Sequence, residues 1–445
     1  MSLYFEVFNF LKERVKKDTS LLLAFSGGPD STALLYLLLE VQKTIPFELE
    51  LAHIDHKQRE ESSIEAEELK ALAAKLGLVF HLKELSGEVE GNLEDFFRSK
   101  RHKFFSELYQ RKGYQALILG HQRGDLEETV LKRFFEGAHL DKLSSIKPVT
   151  RLDQMTLWRP LLECSKEEVL SWLQNQEKTY IEDSTNLDES FLRARTRKTL
   201  LPLIEENFGK NIRSNLVRHS KSAALLEDYL ELQTASRVVN YQNELGSYYD
   251  FSKNSFHPFE IQYLLRKFIA HRGESLSSDQ LLFISGALQE GLANKRLKVR
   301  GLELYVDRRK FFIFSNLEQE LPQNHLSLKP GTHTFGSWEV HVEEGSHLKA
   351  SELGWKRFFK NNGTFFLQIP QGDYQLSASN LASDRFYFDK PLKSWLSHHN
   401  IPSFFSTLIP IIQLDKKVFA EILTGKTPFV LKESYLNVSL AYKKD

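Results

Sequence analysis

At 445 residues the chain exceeds one ordinary hydrophobic core, so two or three domains are expected. Hydrophobic residues make up 41% and charged residues 27%, the balance of a folded globular protein and not of a disordered one. Lys+Arg and Asp+Glu both number 59, so net charge alone argues for no polyanionic partner, and the single Cys excludes an intramolecular disulfide and a cysteine-built zinc or iron–sulfur centre, as suits a reducing cytoplasm.

The opening segment MSLYFEVFNFLKERVKK lacks the ordered basic, apolar and small-residue regions of a signal peptide and reads as an amphipathic helix. Leu21–Phe25 follows as a buried strand, then a glycine turn and a helix from Ser31 to about Gln42. The apolar run Ala33 to Leu39 in this helix is the longest in the chain and far short of a membrane span, so no membrane role is expected. Glu48–Ile54 reads as a strand, Glu60–Leu76 as a helix and Val79–Leu82 as a strand. A helix from Leu93 to about Arg111, a strand at Gln115–Leu119 and a helix near Asp125–Glu136 complete the alternation. Such strand–helix alternation predicts an α/β fold, a doubly wound parallel sheet with right-handed crossovers.

Ser165-Lys166-Glu167-Glu168 is a capping box that opens a helix through Gln174. After Pro202 the pattern turns helical from Leu203 to about Ala235, with a strand-like end at Leu302–Phe314. From Leu326 on the chain is strand-rich and aromatic, with a late helix near Leu392–His399. The expected organisation is a catalytic domain over 1–205, a mainly helical middle domain over 206–322 and a strand-rich α+β C-terminal domain over 323–445.

Ser26-Gly27-Gly28-Pro29-Asp30-Ser31, between a buried strand and a helix, is the strongest local signal. Small residues let the backbone approach a phosphate, and the turn's N–H groups with the helix N-terminus make an anion-binding nest. In a parallel sheet this loop lies at the strand's C-terminal edge, where ligands bind. It is not a Walker A loop, since no Lys-Ser/Thr follows the second glycine. Gly425-Lys426-Thr427 mimics the end of one, but Ala420 stands where that motif needs glycine. Local basic charge concentrates in Arg193, Arg195, Arg197, Lys198, Lys210, Arg213, Arg218 and Lys221, against only Glu205 and Glu206.

The hexapeptide SGGxDS is the signature of the PP-loop ATP pyrophosphatases, which the chain resembles. The resemblance implies cleavage of ATP between its α- and β-phosphates and adenylation of a substrate oxygen, with Ser26, Gly27, Gly28, Pro29, Asp30 and Ser31 gripping ATP and Asp30 facing Mg²⁺. Within that superfamily the chain resembles the bacterial lysidine synthetases. His53-Ile54-Asp55-His56 is similar to their HVxH segment, and Asn92-Leu93-Glu94 with Arg98 and Arg101 to their NLE…ARxxRY helix. Gly120-His121-Gln122-Arg123-Gly124-Asp125-Leu126-Glu127-Glu128-Thr129 is similar to GHHxDDQxET, but departs from it at Gln122, Gly124 and Leu126. Only Asp125 therefore inherits the metal or base role. Arg133 lies one turn after Thr129, and Glu136 replaces the family's next arginine.

Trp158-Arg159-Pro160-Leu161-Leu162 matches RPLL, and Glu182-Asp183-Ser184-Thr185-Asn186 with Arg193-Ala194-Arg195-Thr196-Arg197 matches D-x-(S/T)-N…R-N-R-x-R. Residues i and i+2 lie about 200° apart on a helix, so the three arginines are expected in an extended or turning segment that clamps several anionic groups. The segment from Leu392 through Pro410 resembles the family's C-terminal motif more weakly, with Phe404, Phe405 and Ser406 at the usual tryptophan and arginine positions. The resemblance implies catalytic roles for Asp30, Asp125 and Arg193 and substrate contacts from Arg98, Arg101, His121, Arg133, Arg195 and Arg197. It places Mg²⁺ on Asp30 and Asp125. The implied reaction joins free L-lysine to C2 of cytidine 34 in the CAU anticodon of tRNA(Ile), through an adenylated cytidine, in a cytoplasmic monomer or homodimer. Another PP-loop tRNA-modifying enzyme and a catalytically degenerate tRNA-binding protein remain alternatives; the single Cys argues against a sulfur-transferring one.

Overall fold

The computed structural model describes residues 2–57, 61–85, 93–144, 146–181, 192–315, 321–322, 324–345, 352–378, 386–387, 390–415, 417–426 and 435–443. The chain divides into two compact units, Met1–Tyr229 and Leu230–Asp445.

The first unit is built on a six-stranded sheet. Its elements run α1 (Leu3–Lys12), β1 (Ser20–Ala24), α2 (Pro29–Gln42), β2 (Glu48–Asp55), α3 (Ser62–Lys75), β3 (Val79–Glu84), α4 (Leu93–Lys112), β4 (Ala116–Ile118) and α5 (Arg123–Phe135). They continue with β5 (Val149–Leu152), β6 (Met155–Trp158), α6 (Lys166–Asn175), α7 (Leu192–Arg195), a π-helical turn at Thr196–Leu200, α8 (Leu201–Phe208) and α9 (Ile212–Thr234). The strand order is β3-β2-β1-β4-β6-β5. All neighbours pair in parallel except the edge hairpin β5–β6, which sequence reading did not anticipate.

Alternation along β1 explains the helices on both faces. Leu21 and Leu23 face a core made with α1, α2 and α6, while Leu22 faces the opposite core with Phe105 and Leu108 of α4. All three leucines are fully buried, each contributing about 1.5–3 kcal/mol of hydrophobic stabilisation. The order 3-2-1-4 reverses direction between β1 and β4. The loops leaving those two strands therefore open side by side at the sheet's C-terminal edge, the usual ligand crevice of a doubly wound fold.

The arginines at 193, 195 and 197 lie not in an extended or turning clamp but on helix, Leu192–Arg195 running directly into the π turn. The helix continues because Pro202 falls in the first turn of α8, where its missing N–H costs nothing. On this helix Arg193 and Arg197 are i and i+4, on one face, and Arg195 points elsewhere. The single long helix expected beyond Leu203 is broken by Gly209 in the left-handed region, φ 57°, between α8 and α9.

The second unit contains α10 (Pro258–Ala270) and α11 (Ser278–Glu290). It also contains a five-stranded antiparallel sheet, β7-β8-β11-β10-β9, formed by Val239–Gln242, Gly246–Asp250, Lys310–Ser315, Leu302–Asp307 and Lys295–Val299. Two four-stranded sheets follow in the C-terminal part. One aromatic-rich core runs from Leu245 to Leu440 and includes Tyr248, Phe312, Trp338, Phe358, Phe404 and Phe405. Phe405 meets the Phe312 ring edge-on at 5.8 Å, and Phe404 lies 4.4 Å from Tyr305. These two phenylalanines are thus core residues of the unit. Among the described residues no helix is long and apolar enough to cross a membrane.

Candidate active site

The glycine loop stands where β1 hands over to α2. Gly27 has φ +81°, and a Cβ there would lie 2.8 Å from Ile181 Cδ1 and 2.9 Å from Leu69 Cδ2. Its carbonyl is held on two sides, accepting from the Thr32 hydroxyl at 3.0 Å and from the Ile181 N–H at 2.9 Å. Gly28 caps α2 with an ordinary φ of −69°, and the Ser31 hydroxyl donates back to its carbonyl at 3.0 Å. Ser26 Oγ lies 3.1 Å from Ser31 Oγ and accepts weakly from the Gly28 N–H at 3.4 Å. Sequence and fold therefore converge on an open loop with the α2 N-terminus beneath it, fit for an anion. The neighbouring loop after β4 approaches closely, since a Cβ on Gly120 would come within 3.2 Å of the Ser31 nitrogen.

Asp30, in the first turn of α2, faces this crevice. Both its carboxylate oxygens accept from Lys166 Nζ at 2.9 Å. Burial pushes its carboxyl above the usual range; Lys166 opposes that shift, Asp125 adds to it and Arg197 opposes it. The influence of Asp125 on Asp30 puts the two acids in one electrostatic neighbourhood. Asp125 belongs to the start of α5, where Gln122 is the N-cap. The Gln122 N–H donates to Asp125 Oδ2 at 3.0 Å, and Gln122 Oε1 accepts from the Gly124 N–H at 2.6 Å. This reciprocal capping box orients Asp125.

It also accounts for two departures from the family pattern together. Gln122 is 2% exposed, and a Cβ on residue 124 would meet its side-chain amide at 3.0–3.2 Å. A glutamine in that buried place thus favours glycine at 124. Leu126 packs with Val130 and Leu162 and serves the core.

His121 feels the charges of Asp125 and of Arg159, Arg193 and Arg101. Arg159 Nε donates to its Nδ1 at 3.1 Å. A guanidinium can only donate, so the imidazole proton belongs on Nε2. Burial lowers the His121 pKa to about 4; Asp125 opposes this, and Arg159, Arg193 and Arg101 reinforce it. The ring is neutral at physiological pH, with Nε2–H as a donor. Arg159 is anchored by the Lys147 carbonyl at 2.8 Å and the Thr150 hydroxyl at 2.9 Å.

Arg197 Nε donates to Glu128 at 2.5 Å, and its Nη2 lies 3.8 Å from Asp125. Burial disfavours charge on both Arg197 and Glu128, whose carboxyl is pushed up. A guanidinium does not lose its proton in a protein, so this is a charge pair. The basic stretch is therefore partly neutralised by acids elsewhere in the chain. Arg213 meets Glu127 and Glu205, each at 3.1 Å, and Lys221 meets Glu163 at 2.7 Å. Arg193 and Arg195 are exposed and make no ion pair among the described residues.

Arg133 is engaged structurally, donating to the Lys142 carbonyl at 2.5 Å. Arg98 and Arg101 are exposed on α4, and each bears on a site residue electrostatically, Arg98 on Arg133 and Arg101 on His121. His53 Nδ1 lies 2.8 Å from the Phe25 carbonyl, and Asp55 accepts from the Lys57 N–H at 2.8 Å. Both tie down strand ends beside the loop. Asn92 and the segment Glu182–Asn186 lie outside the described residues.

In the sequence Lys166 stands only as part of a helix-capping segment, with no motif that links it to Asp30. The available signal was a cation at the first helical position, where the helix dipole disfavours one. The donor set suits a small hard cation. Among the described residues no group of three or more His, Cys, Asp or Glu side chains could hold a metal. Two neighbouring carboxylates beside a phosphate loop are what Mg²⁺ uses, completing its shell with phosphate oxygens and water.

Comparison with known proteins agrees with this geometry. Residues 3–204 match the PP-loop domain family. The chain is 32% identical over 448 residues to the tRNA(Ile)-lysidine synthase of Protochlamydia amoebophila (strain UWE25), covering 98% of this chain and 96% of that protein. It is 34% identical over 306 residues to the tRNA(Ile)-lysidine synthase of Chlamydia trachomatis serovar L2, covering 67% and 93%. To the enzyme of the same name in Chlamydia pneumoniae it is 41% identical over 214 residues, covering 48% and 66%. A glycine loop at the β1/β4 switch point and similarity along nearly the whole length of a relative lead to one assignment: the chain belongs to the tRNA(Ile)-lysidine synthase family.

Proposed function

We propose that this protein forms lysidine on tRNA(Ile) in an ATP-dependent reaction, by adenylating a cytidine of the anticodon and displacing the adenylate with lysine. The observation that carries the reading is the Ser26–Ser31 loop at the switch point, with Asp30 and Asp125 beside it. In the first step the cytidine O2 attacks the α-phosphorus of ATP. A new O–P bond forms, the bond to the bridging α–β oxygen breaks, and pyrophosphate leaves with that electron pair. In the second step the lysine ε-amine attacks C2, the C2–O2 bond breaks, AMP leaves and the amine gives up a proton.

The residues divide this work by their chemistry. The N–H groups of the loop and of the α2 N-terminus hold the departing pyrophosphate. Asp30 and Asp125 would hold Mg²⁺, which supplies charge neutralisation at the phosphates. His121 offers its Nε2–H as a neutral donor, since Nδ1 is occupied by Arg159. It serves orientation and charge stabilisation, and it is a poor base because burial and three arginines oppose its protonation. Arg193 shares a helix face with Arg197, the latter aimed at the carboxylates, and stabilises phosphate charge as it develops. Arg98, Arg101 and Arg195 are exposed cations suited to the RNA backbone.

The target base is presented from a single-stranded loop, which lowers the cost of unstacking it. Regions 206–322 and 323–445 grip the tRNA away from the chemistry. In support, a cavity of about 620 Å³ in the second unit is lined by Lys356, Arg357, Lys360 and His399. The working form is a monomer or homodimer in the cytoplasm. Incubation with ATP, radiolabelled lysine and CAU-anticodon tRNA(Ile) tests the reading. Label entering the tRNA with one AMP per lysine supports it; no label in any tRNA refutes it.

A further inference from the structure

Lys166 is placed oddly for a purely structural residue. It occupies the first position of α6, where the helix's positive end disfavours a cation. The capping box that starts this helix, Ser165 with Glu168, does not use its side chain. The ammonium instead reaches across to another helix and takes both oxygens of Asp30 at 2.9 Å. It lies on the one loop carboxylate that shares an electrostatic neighbourhood with Asp125 and Arg197. Both partners are about a third exposed, 31% and 27%, so the contact can be exchanged for solvent or ligand.

An ammonium seated against both carboxylate oxygens takes one lone pair of each and sets a positive charge where a divalent cation would approach, so the two cations repel. The two therefore compete. A lysine ammonium is a compact charge on a flexible stem, so on leaving Asp30 it stays within reach of anions in the same crevice. We propose that Lys166 is the resident counter-ion of Asp30 in the nucleotide-free protein, and that it passes to the ATP phosphates when a divalent cation replaces it on Asp30. The exchange leaves both the carboxylate and the phosphates beside a cation and makes metal and nucleotide binding mutually dependent. The inference rests on the assignment of the Ser26–Ser31 loop as the ATP site.

The test measures binding, not turnover. Mn²⁺ binding to the nucleotide-free protein is read by electron paramagnetic resonance for the wild type, Lys166→Met and Lys166→Arg. Binding of α,β-methylene-ATP with Mg²⁺ is read by calorimetry on the same proteins. Loss of the ammonium is expected to tighten Mn²⁺ roughly tenfold and to weaken the analogue roughly tenfold. Lys166→Arg is expected to restore analogue binding. A lysine that only braces α2 against α6 would not produce opposite changes. Mn²⁺ affinity unchanged or weaker in a folded Lys166→Met protein overturns the proposal, as does unchanged analogue affinity. Should that variant fail to fold, Lys166→Gln carries the same expectations and the same refutation. Neither measurement uses tRNA or lysine, so failure of the lysidine reading, seen as no lysine transfer by the wild type, is separable from failure of this exchange.

Discussion

Replacing Gly27 and Gly28 by alanine, one at a time, separates what the fold needs from what the ligand needs. At Gly27 the backbone is left-handed, and the Thr32 and Ile181 bonds to its carbonyl oppose any flip to a more comfortable conformation. An alanine there costs about 1–2 kcal/mol for the backbone. The new methyl would lie 2.8–3.0 Å from Ile181 and Leu69 side-chain carbons, and such overpacking costs about 1–3 kcal/mol more. The sum, roughly 2–5 kcal/mol, is a large share of a domain's stability. Gly28 differs: its φ is −69°, and its nearest neighbour to a new Cβ is Ser26 Oγ at 3.5 Å, an ordinary contact. Gly28→Ala should fold with wild-type stability within about 0.5 kcal/mol. It should nevertheless bind ATP at least about tenfold more weakly, because the methyl stands where phosphate must approach. Urea denaturation followed by titration with α,β-methylene-ATP reads both effects. Wild-type nucleotide affinity in folded Gly28→Ala, or wild-type stability in Gly27→Ala, would refute the reasoning for that position.

Other consequences follow from the neighbouring loop and its partners. Gly124→Ala should destabilise the wild type more than it destabilises a Gln122→Ser background, with a coupling of about 1 kcal/mol from a denaturation cycle; strict additivity would mean that the two positions are independent. The His121 pKa, about 4, lies below its unfolded value of 6.5. The unfolded chain therefore binds the extra proton first as pH falls, and the contribution of this one group to stability should fall by about 3 kcal/mol from pH 6.5 to 4 and stay flat above pH 6.5. His121→Asn should flatten that slope in pH-dependent denaturation, and an unchanged slope would point to other groups. Asp30→Asn should leave the protein folded by circular dichroism while AMP formation falls on the order of 10²-fold or more; retained activity would remove Asp30 from the metal site.

The strand–loop–helix unit around Ser26–Ser31 was legible because its information is local: three fully buried leucines mark the strand, and two glycines with Pro29 mark the turn and helix start. The β5–β6 hairpin was not legible, since Val149, Arg151 and Leu152 are exposed edge positions that carry no clear apolar alternation. Arg193, Arg195 and Arg197 were misplaced by arguing from spacing alone. Alternate positions cannot share a helix face, but nothing requires all three to act together, and Arg193 and Arg197 form an i and i+4 pair on one face of the observed helix. Lys166 could not be found by motif, because its contact with Asp30 spans 136 residues of the chain; Glu128 stands in the motif, but its pairing with Arg197, 69 residues away, is not legible there. In the second unit, Phe404 and Phe405 stand at the usual tryptophan position of the family's C-terminal motif, and their burial is set by the surrounding aromatic core.

The account stands on ATP being split between its α- and β-phosphates at the Ser26–Ser31 loop, with the adenylate passing to RNA. The direct measurement is incubation with ATP labelled at the α-phosphorus and tRNA(Ile), with lysine withheld. Label should become attached to the tRNA with equimolar pyrophosphate, and leave as AMP once lysine is added. Labelled ADP as the product, or tRNA that stays unlabelled while ATP is consumed, would contradict it.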